Sequence, residues 1–245
     1  MTTARSAEIT SPESKTRSWQ MFNRIAPTYD LLNRILSAGI DRGWRRSLYA
    51  SLPTAPERLD LLDLATGTGD QLLSLMEADG GRRIRAATGL DPAELMLARA
   101  RTKSGGRAEN VDWIQGDACA LPMAAESVDV ITMSFGIRNV PDPAKCLAEI
   151  FRVLRPGGRA LILEFALPRN AFVRATYLFY FRKVLPWIGG LVSGDRAAYH
   201  YLNQTVEEFP CGDAFLELMK TAGFRATKFR ELTFGIANLY SGDRA

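Results

Sequence analysis

The sequence predicts an α/β fold: a doubly wound, mostly parallel sheet of seven strands with helices ahead of it. Three observations carry this. Short apolar runs alternate with helical segments five times between residues 59 and 165, the signature of βαβ units. The first run ends in a glycine loop, where such sheets bind ligands. Two alternating runs at the C-terminus look like a closing antiparallel pair. With 245 residues, 47% apolar and 24% charged, the chain can bury a sizeable core, and wholesale disorder is excluded.

The elements follow in order. Residues 16–50 read as helix, with Trp19, Phe22 and Ile25 at helical spacing, a break at Pro27, and Leu31, Leu32, Ile35 and Leu36 resuming the pattern. Pro53 and Pro56 mark a linker. LDLLDLA (59–65) is continuously apolar around two acids and ends in glycines, so it predicts a buried parallel strand. A helix follows over 70–78, then a strand IRAATGLD (84–91), and a helix over 93–103 opened by Pro92. VDWIQGD (111–117) and SVDVITMSF (127–135) are the third and fourth strands. A helix over 142–154 stops at Pro156-Gly157-Gly158, and ALILEF (160–165) is the fifth strand. The pattern then lapses for about 40 residues and returns as a helix over 213–222 with FRATKFREL and TFGIANLY behind it.

Composition narrows the chemistry. The three cysteines, Cys119, Cys146 and Cys211, include no CxxC pair, and His200 is the only histidine, so a zinc site of ordinary spacing cannot be built. No metal site is expected. A reducing, cytoplasmic compartment is the simplest reading. No run of 18 apolar residues occurs. Residues 1–14 read as a flexible tail ahead of a single domain over 15–245. A net charge of +4 is far from that of a tail-type nucleic-acid binder.

The glycine loop reads Asp63-Leu64-Ala65-Thr66-Gly67-Thr68-Gly69-Asp70. Gly67 and Gly69 let the backbone approach a ligand at a helix N-terminus. The nicotinamide fingerprint needs glycine at position 72, where this chain has Leu72. Asp91 ends the second strand, where a carboxylate accepts bonds from both hydroxyls of a ribose. Asp117 ends the third and can accept from the exocyclic amine of adenine. Each alone reads equally well as a cap or a surface acid; three at successive strand ends point to adenosine. The loop carries acids and no cation. Such a loop repels pyrophosphate and suits the ammonium and sulfonium of S-adenosyl-L-methionine.

DLATGTGD, Asp91, GDACALP (116–122) and LRPGGRALILEF (154–165) together resemble the class I, Rossmann-like S-adenosylmethionine-dependent methyltransferases. FNRIAPTYDLLNRILSAGIDRGWRR (22–46) and ITMSFGIRNVPD (131–142) are similar, more narrowly, to the UbiE/MenG-type quinone C-methyltransferases. That resemblance implies methylation of a ring carbon of a polyprenylated quinol in menaquinone or ubiquinone biosynthesis, demethylmenaquinol to menaquinol among its reactions. It implies cofactor contacts at Thr68, Asp91, the Asp117–Ala118 pair and Ser134. Many relatives carry Asn where this chain has Asp117; either side chain accepts from the adenine amine. The motifs do not fix the quinone ring.

A ring carbon is a poor nucleophile until the neighbouring hydroxyl ionises. A phenol with a pKa near 10 is about 0.1% ionised at pH 7, a deficit of roughly 4 kcal/mol. Arg138 in SFGIRN lies just past the fourth strand, where it can stabilise a phenolate; a surface arginine is the plainer reading. Asn139 beside it is expected to orient a ring oxygen. Tyr29 and Asp30 are placed to close over the cofactor, with core packing as the alternative for Tyr29. His200 is a candidate base, with an exposed helical histidine as the plainer alternative.

The lapse after Phe165 reads as a helical cap insertion over about 166–205. Eight of the 23 aromatics fall within residues 172–201, and residues 166–205 carry five basic side chains against Asp195 alone. Such a cap can bind an isoprenoid tail and touch anionic lipid at the inner face of the membrane, or be merely a helical core. No RNA-binding module is visible, so nucleic acid is not an expected partner; homo-oligomerisation stays open. The rival readings are another small-molecule methyltransferase, a non-catalytic S-adenosylmethionine-binding lipid carrier, and an NAD-dependent oxidoreductase, which Leu72 disfavours.

Overall fold

The computed structural model describes residues 15, 18–31, 37, 39–105, 110–187 and 196–245. The tail reading of residues 1–14, the helical positions Leu32, Ile35 and Leu36, and residues 188–195 of the cap lie outside them. Seven strands form one sheet: β1 (Leu59–Leu64), β2 (Ile84–Asp91), β3 (Val111–Gln115), β4 (Val128–Ser134), β5 (Leu154–Phe165), β6 (Arg225–Leu232) and β7 (Ala237–Asp243). Their order is β3-β2-β1-β4-β5-β7-β6. The pairs among β1 to β5 are parallel, while β7 runs antiparallel to both β5 and β6. Chain order reverses between β1 and β4, and such a switch point opens a crevice at the carboxyl ends of the strands.

The described helices are α1 (Ser18–Ile25), α2 (Asp41–Tyr49), α3 (Asp70–Asp79), α4 (Glu94–Ser104), α5 (Pro143–Val153), α6 (Ala171–Phe179), α7 (Arg196–Glu208) and α8 (Asp213–Thr221). The two-residue strand period splits the core between the faces of the sheet. Ile131, Met133, Ala160 and Ile162 pack on α5 and α8. Val130, Leu161 and Leu163 point the other way, onto Trp44 and Leu48 of α2 and Leu72 and Leu75 of α3. A third cluster joins Ile25 of α1 and Met96 of α4 to Tyr177, Phe181, Leu185 and Val206, so the N-terminal helix and the inserted helices share one core.

The fifth strand begins earlier than the sequence pattern indicates. α5 ends at Val153 and Leu154 is already extended, pairing with Val128; the register then shifts so that Arg159 meets Val130. The Pro-Gly-Gly stretch is thus an irregularity inside a strand rather than a loop before it. Where the sequence pattern lapses, α6 runs into a π-helical turn over Tyr180–Val184. At such a turn the Phe181 carbonyl would look to residue 186, which is Pro186 and has no N–H. The side-chain amide of Asn203 on α7 donates to that carbonyl instead, at 2.7 Å, which ties the two inserted helices together.

Candidate active site

The glycine loop leaves β1 through Ala65, whose φ is +49°; Phe135, just past β4, has φ +58°. Left-handed backbone at non-glycine residues is strained and gathers at functional sites, and these two residues flank the switch point. Gly69 has φ +78°, and a Cβ there would lie 2.6 Å from the Trp113 ring, so only glycine fits. The loop is also hooked from outside. Asp91 at the end of β2 accepts from the Gly67 and Ala93 backbone N–H groups, both at 2.8 Å. Asp63 accepts from the Thr132 hydroxyl at 2.5 Å and the Thr66 hydroxyl at 2.6 Å. Burial pushes the carboxyl of Asp63 up to about 6 against those two hydroxyls. Burial does the same to Asp91, to about 6, against its backbone donors.

Two chambers meet at this edge. The smaller, about 280 Å³, is lined by Leu90, Asp91, Met96, Asp117, Ala118 and Asn139 among others. The larger, about 550 Å³, reaches from Asp63, Thr68 and Gln71 into a wall of Trp44, Phe165, Tyr177, Phe181, Leu185 and Tyr201. Ala65, Gly67, Ser134 and Phe135 line both. The aromatic wall is continuous: Phe135 stacks on Phe165 at 4.3 Å, Trp44 meets Phe135 at 5.8 Å, and Tyr177 stacks on Phe181 at 4.9 Å.

Arg138 sits in the wall of the larger chamber, only 5% exposed. Its Nη1 donates to Glu164 Oε1 at 2.6 Å and to the Phe135 carbonyl at 2.7 Å. The guanidinium lies over the Phe165 ring, 5.3 Å from its centroid, and Nε has no protein partner. Glu164 is 1% exposed and also accepts from the Phe165 N–H.

Residues 10–244 match the family model described as the ubiE/COQ5 methyltransferase family. The demethylmenaquinone methyltransferase of Thermus thermophilus is 46% identical over 225 residues, 91% of this chain and 100% of that one. The ubiquinone/menaquinone biosynthesis C-methyltransferase UbiE of Roseobacter denitrificans is 43% identical, over 91% of this chain and 88% of that one. The chain belongs to the ubiE/COQ5 methyltransferase family. Solved structures agree on the fold. An S-adenosylmethionine-dependent methyltransferase of Thermotoga maritima superposes with a TM-score of 0.61 at 22% identity, covering 93% of this chain and 99% of that one. The [4+2]-cyclase SpnF superposes with a TM-score of 0.66 at 17% identity, over 94% and 96%. A cyclase on the same frame shows that this fold alone does not decide chemistry.

Against this family frame, Gly67, Thr68, Gly69, Asp91, Asp117, Ala118 and Ser134 all gather at the carboxyl edge of the sheet. Asp117 is exposed, and its Oδ1 accepts from the Cys119 N–H at 2.8 Å. Arg138 and Asn139 separate. In the 3-10 turn Ile137–Asn139 successive side chains diverge by a third of a turn, so Asn139 lines the adenosine-sided chamber with its Oδ1 unpartnered. Its Nδ2 donates to the carbonyl of Phe135, a residue of the aromatic wall, at 3.2 Å. His200 is exposed and lines neither chamber.

The loop is less free of cations than its sequence reads. Lys103 of α4 reaches Asp70 at 2.5 Å, Asp30 at 2.7 Å and the Thr68 hydroxyl at 3.0 Å. Thr68 in turn donates to Asp30 at 2.5 Å. Asp30 therefore clasps the N-terminal segment onto the loop; of the loop's carboxylates Asp63 has no direct ion pair among the described residues and feels Arg45 only at longer range. Four contributors escaped the sequence reading: Glu164, Gln71, Lys103 and the aromatic wall. Glu164 stood in view within the LEF block, but nothing local marks it as the partner of a residue 26 positions away.

Among the described residues no cluster of acids, cysteines and histidine suits a metal. The residues present do fit S-adenosylmethionine. Gln71 Nε2 is a buried donor without a partner in the chamber wall, suited to a carboxylate. Asp63 offers buried negative charge to an ammonium, and Asp91 retains lone pairs for ribose hydroxyls.

Proposed function

We propose that the chain methylates a ring carbon of a polyprenylated quinol, demethylmenaquinol to menaquinol, with the ubiquinone-pathway benzoquinol as a second candidate substrate. The observation that carries this is the junction of the chambers. A smaller chamber that sets Asp91, Asp117 and Asn139 among apolar side chains, suited to adenosine, opens across Ala65, Ser134 and Phe135 into a larger aromatic one of about 550 Å³. The names of the relatives, demethylmenaquinone methyltransferase and UbiE, support the ring chemistry.

S-adenosylmethionine, when bound, supplies an activated methyl group on sulfur. Gly67, Thr68, Gly69, Gln71 and Asp63 would hold its amino-acid end, with Asp91, Asp117, Ala118 and Asn139 around the nucleoside and Ser134 at the junction. The aromatic wall excludes water and holds a flat ring against that junction. Arg138 keeps a fixed positive charge in a dry wall, where it lowers the cost of phenolate formation. Its pairing with Glu164 tempers that charge and fixes the orientation of the fork.

The inserted helices also present an outer face. Phe172 is 81% exposed, Phe179 65% and Trp187 61%, with Arg174 and Lys183 exposed among them. Aromatic and basic side chains on one surface suit an anionic lipid interface, from which a polyprenyl tail would enter. No helix among the described residues is long and apolar enough to cross a membrane, so the contact proposed is peripheral. The deciding experiment is transfer of radiolabelled methyl into demethylmenaquinol and into the benzoquinol. Label in the naphthoquinol supports the reading; label in neither, from protein that binds S-adenosylmethionine, overturns it.

A further inference from the structure

The polar groups of the larger chamber fall in two places. One is the glycine-loop end, with Asp63, Thr68 and Gln71. The other lies under the inserted helices, where the phenols of Tyr177 and Tyr201 face Arg138 in a wall of aromatic and aliphatic side chains. The Tyr177 hydroxyl is buried and has no hydrogen-bond partner among the described residues. A buried hydroxyl without a partner is costly, typically by 1–3 kcal/mol, and is retained where a ligand completes it.

Its setting is built, not incidental. Tyr177 stacks on Phe181, which leans on Phe165 at 6.3 Å, and Phe165 lies beneath the Arg138 guanidinium. The π-helical turn that follows α6 lets Tyr177, Phe181 and Leu185 all line one chamber. Asn203 secures that turn. The charged and titratable groups facing the Tyr177 hydroxyl are Arg138, Glu164, Glu207 and Tyr180. Burial drives its phenol well above the ordinary tyrosine value, with Arg138 opposing, so the hydroxyl keeps its proton and can only donate toward an anion.

We propose that Tyr177 is a catalytic residue that donates a hydrogen bond to the quinol oxygen as it becomes a phenolate, forming with Arg138 Nε a two-donor oxyanion site. The geometry assigns this from the unpartnered buried Nε of Arg138 and hydroxyl of Tyr177 in one largely apolar wall; the Tyr201 hydroxyl, also unpartnered there, has Ser18 beside it. The oxygen becomes negative when the quinol hydroxyl gives its proton to solvent. It still carries part of that charge as the neighbouring carbon takes the methyl group from sulfur, S-adenosylhomocysteine leaves and the ring carbon's proton is lost to solvent. Donors already in place therefore lower the barrier from the neutral quinol without reorganisation. Tyr177 therefore discriminates for substrates with a hydroxyl beside the methylated carbon. The inference rests on the quinol reading above.

The test is Tyr177→Phe, followed three ways. Single-turnover methyl transfer with saturating S-adenosylmethionine should fall about ten- to hundredfold at pH 7, and the deficit should shrink as pH rises toward the quinol's own pKa. The Tm should hold or rise, because the hydroxyl removed satisfies nothing in the folded protein. The third readout needs no turnover: 2-naphthol bound in the presence of S-adenosylhomocysteine, its ionisation followed by absorbance. The wild type should lower the pKa of the bound naphthol, and Tyr177→Phe should raise it by about one unit, tenfold in the ionisation constant. A bound naphthol that titrates identically in both proteins overturns the proposal. So does a rate loss that is independent of pH and accompanied by a fallen Tm. If the wild type methylates no quinol, the functional reading fails, while the naphthol titration still decides the donor role of Tyr177.

Discussion

The two chambers are built on opposite plans. The smaller chamber is made largely by loops at the ends of β1, β2, β3 and β4, with side chains from α1 and α4. Its carboxylates are tied to backbone, Asp91 to Gly67 and Ala93 and Asp117 to Cys119, while Asn139 keeps its Oδ1 unpartnered among the described residues. The aromatic chamber draws one to three side chains each from α2, β5, α6, the π-helical turn and α7, and Arg138, Tyr177 and Tyr201 in its wall each keep a donor unpartnered among the described residues. The first is a site whose backbone is prefixed for one cofactor. The second is a largely apolar box with buried donors in its wall, placed to act on charge as it develops.

The largest expected effect strikes the aromatic chamber. Arg138→Ala should lower single-turnover rate by 10²–10³, about 2.7–4 kcal/mol, while calorimetric affinity for S-adenosylmethionine stays within about threefold. It should also lower stability by about 3–5 kcal/mol, because Glu164 is left buried and unpaired. Arg138→Lys keeps the charge but not the fork, so it should recover rate only in part. A variant that loses cofactor affinity as severely as rate would erase the contrast between the chambers.

Next comes the cofactor chamber. Asp91→Ala removes the ribose acceptor and the hook on Gly67 together, so affinity for S-adenosylmethionine should fall at least tenfold, as two charge-assisted bonds of about 1.5–3 kcal/mol allow. Binding of 2-naphthol should be nearly unchanged. Unaltered cofactor affinity would remove Asp91 from the site.

A smaller effect is expected from pH. Asp63 and Asp91 are raised to about 6 in the folded chain from 3.8. The folded state thus holds their protons more tightly than the unfolded chain does. Their burial costs nothing below about 3.8, and its full cost is present above about 6. Cofactor binding has the opposite need, since only the ionised carboxylates attract the ammonium or accept from two hydroxyls. Affinity measured by calorimetry should therefore fall severalfold as pH drops from 7 to 5, with proton release on binding near pH 6. Flat affinity across that range would show that neither carboxylate meets the cofactor.

The smallest effect concerns the outer face of the inserted helices. Arg174→Gln with Lys183→Gln should weaken binding to anionic vesicles severalfold and leave Tm unchanged, and added salt should mimic the loss. Arg182 is a poorer choice, because it pairs with Glu207. Equal binding to neutral vesicles would assign the contact to Phe172, Phe179 and Trp187 rather than to charge.

The sequence alone determined the sheet, its glycine loop and the acids at its strand ends. These are local: a strand announces itself by an apolar run, its end by glycine or proline, and a ligand acid by its place after that end. The residues that gather at the strand ends were legible for the same reason, since they neighbour the features that mark them. The tertiary structure alone decided the rest. It set Glu164 against Arg138 and Lys103 against Asp70, placed Asn139 in the smaller chamber, and left His200 exposed. It also sorted the inserted aromatics into buried Tyr177 and Phe181 and exposed Phe172 and Phe179. An ion pair or a chamber wall joins residues many positions apart, and which of two apolar helix faces turns inward depends on what lies across from it. Local pattern holds no record of that opposing surface; packing does.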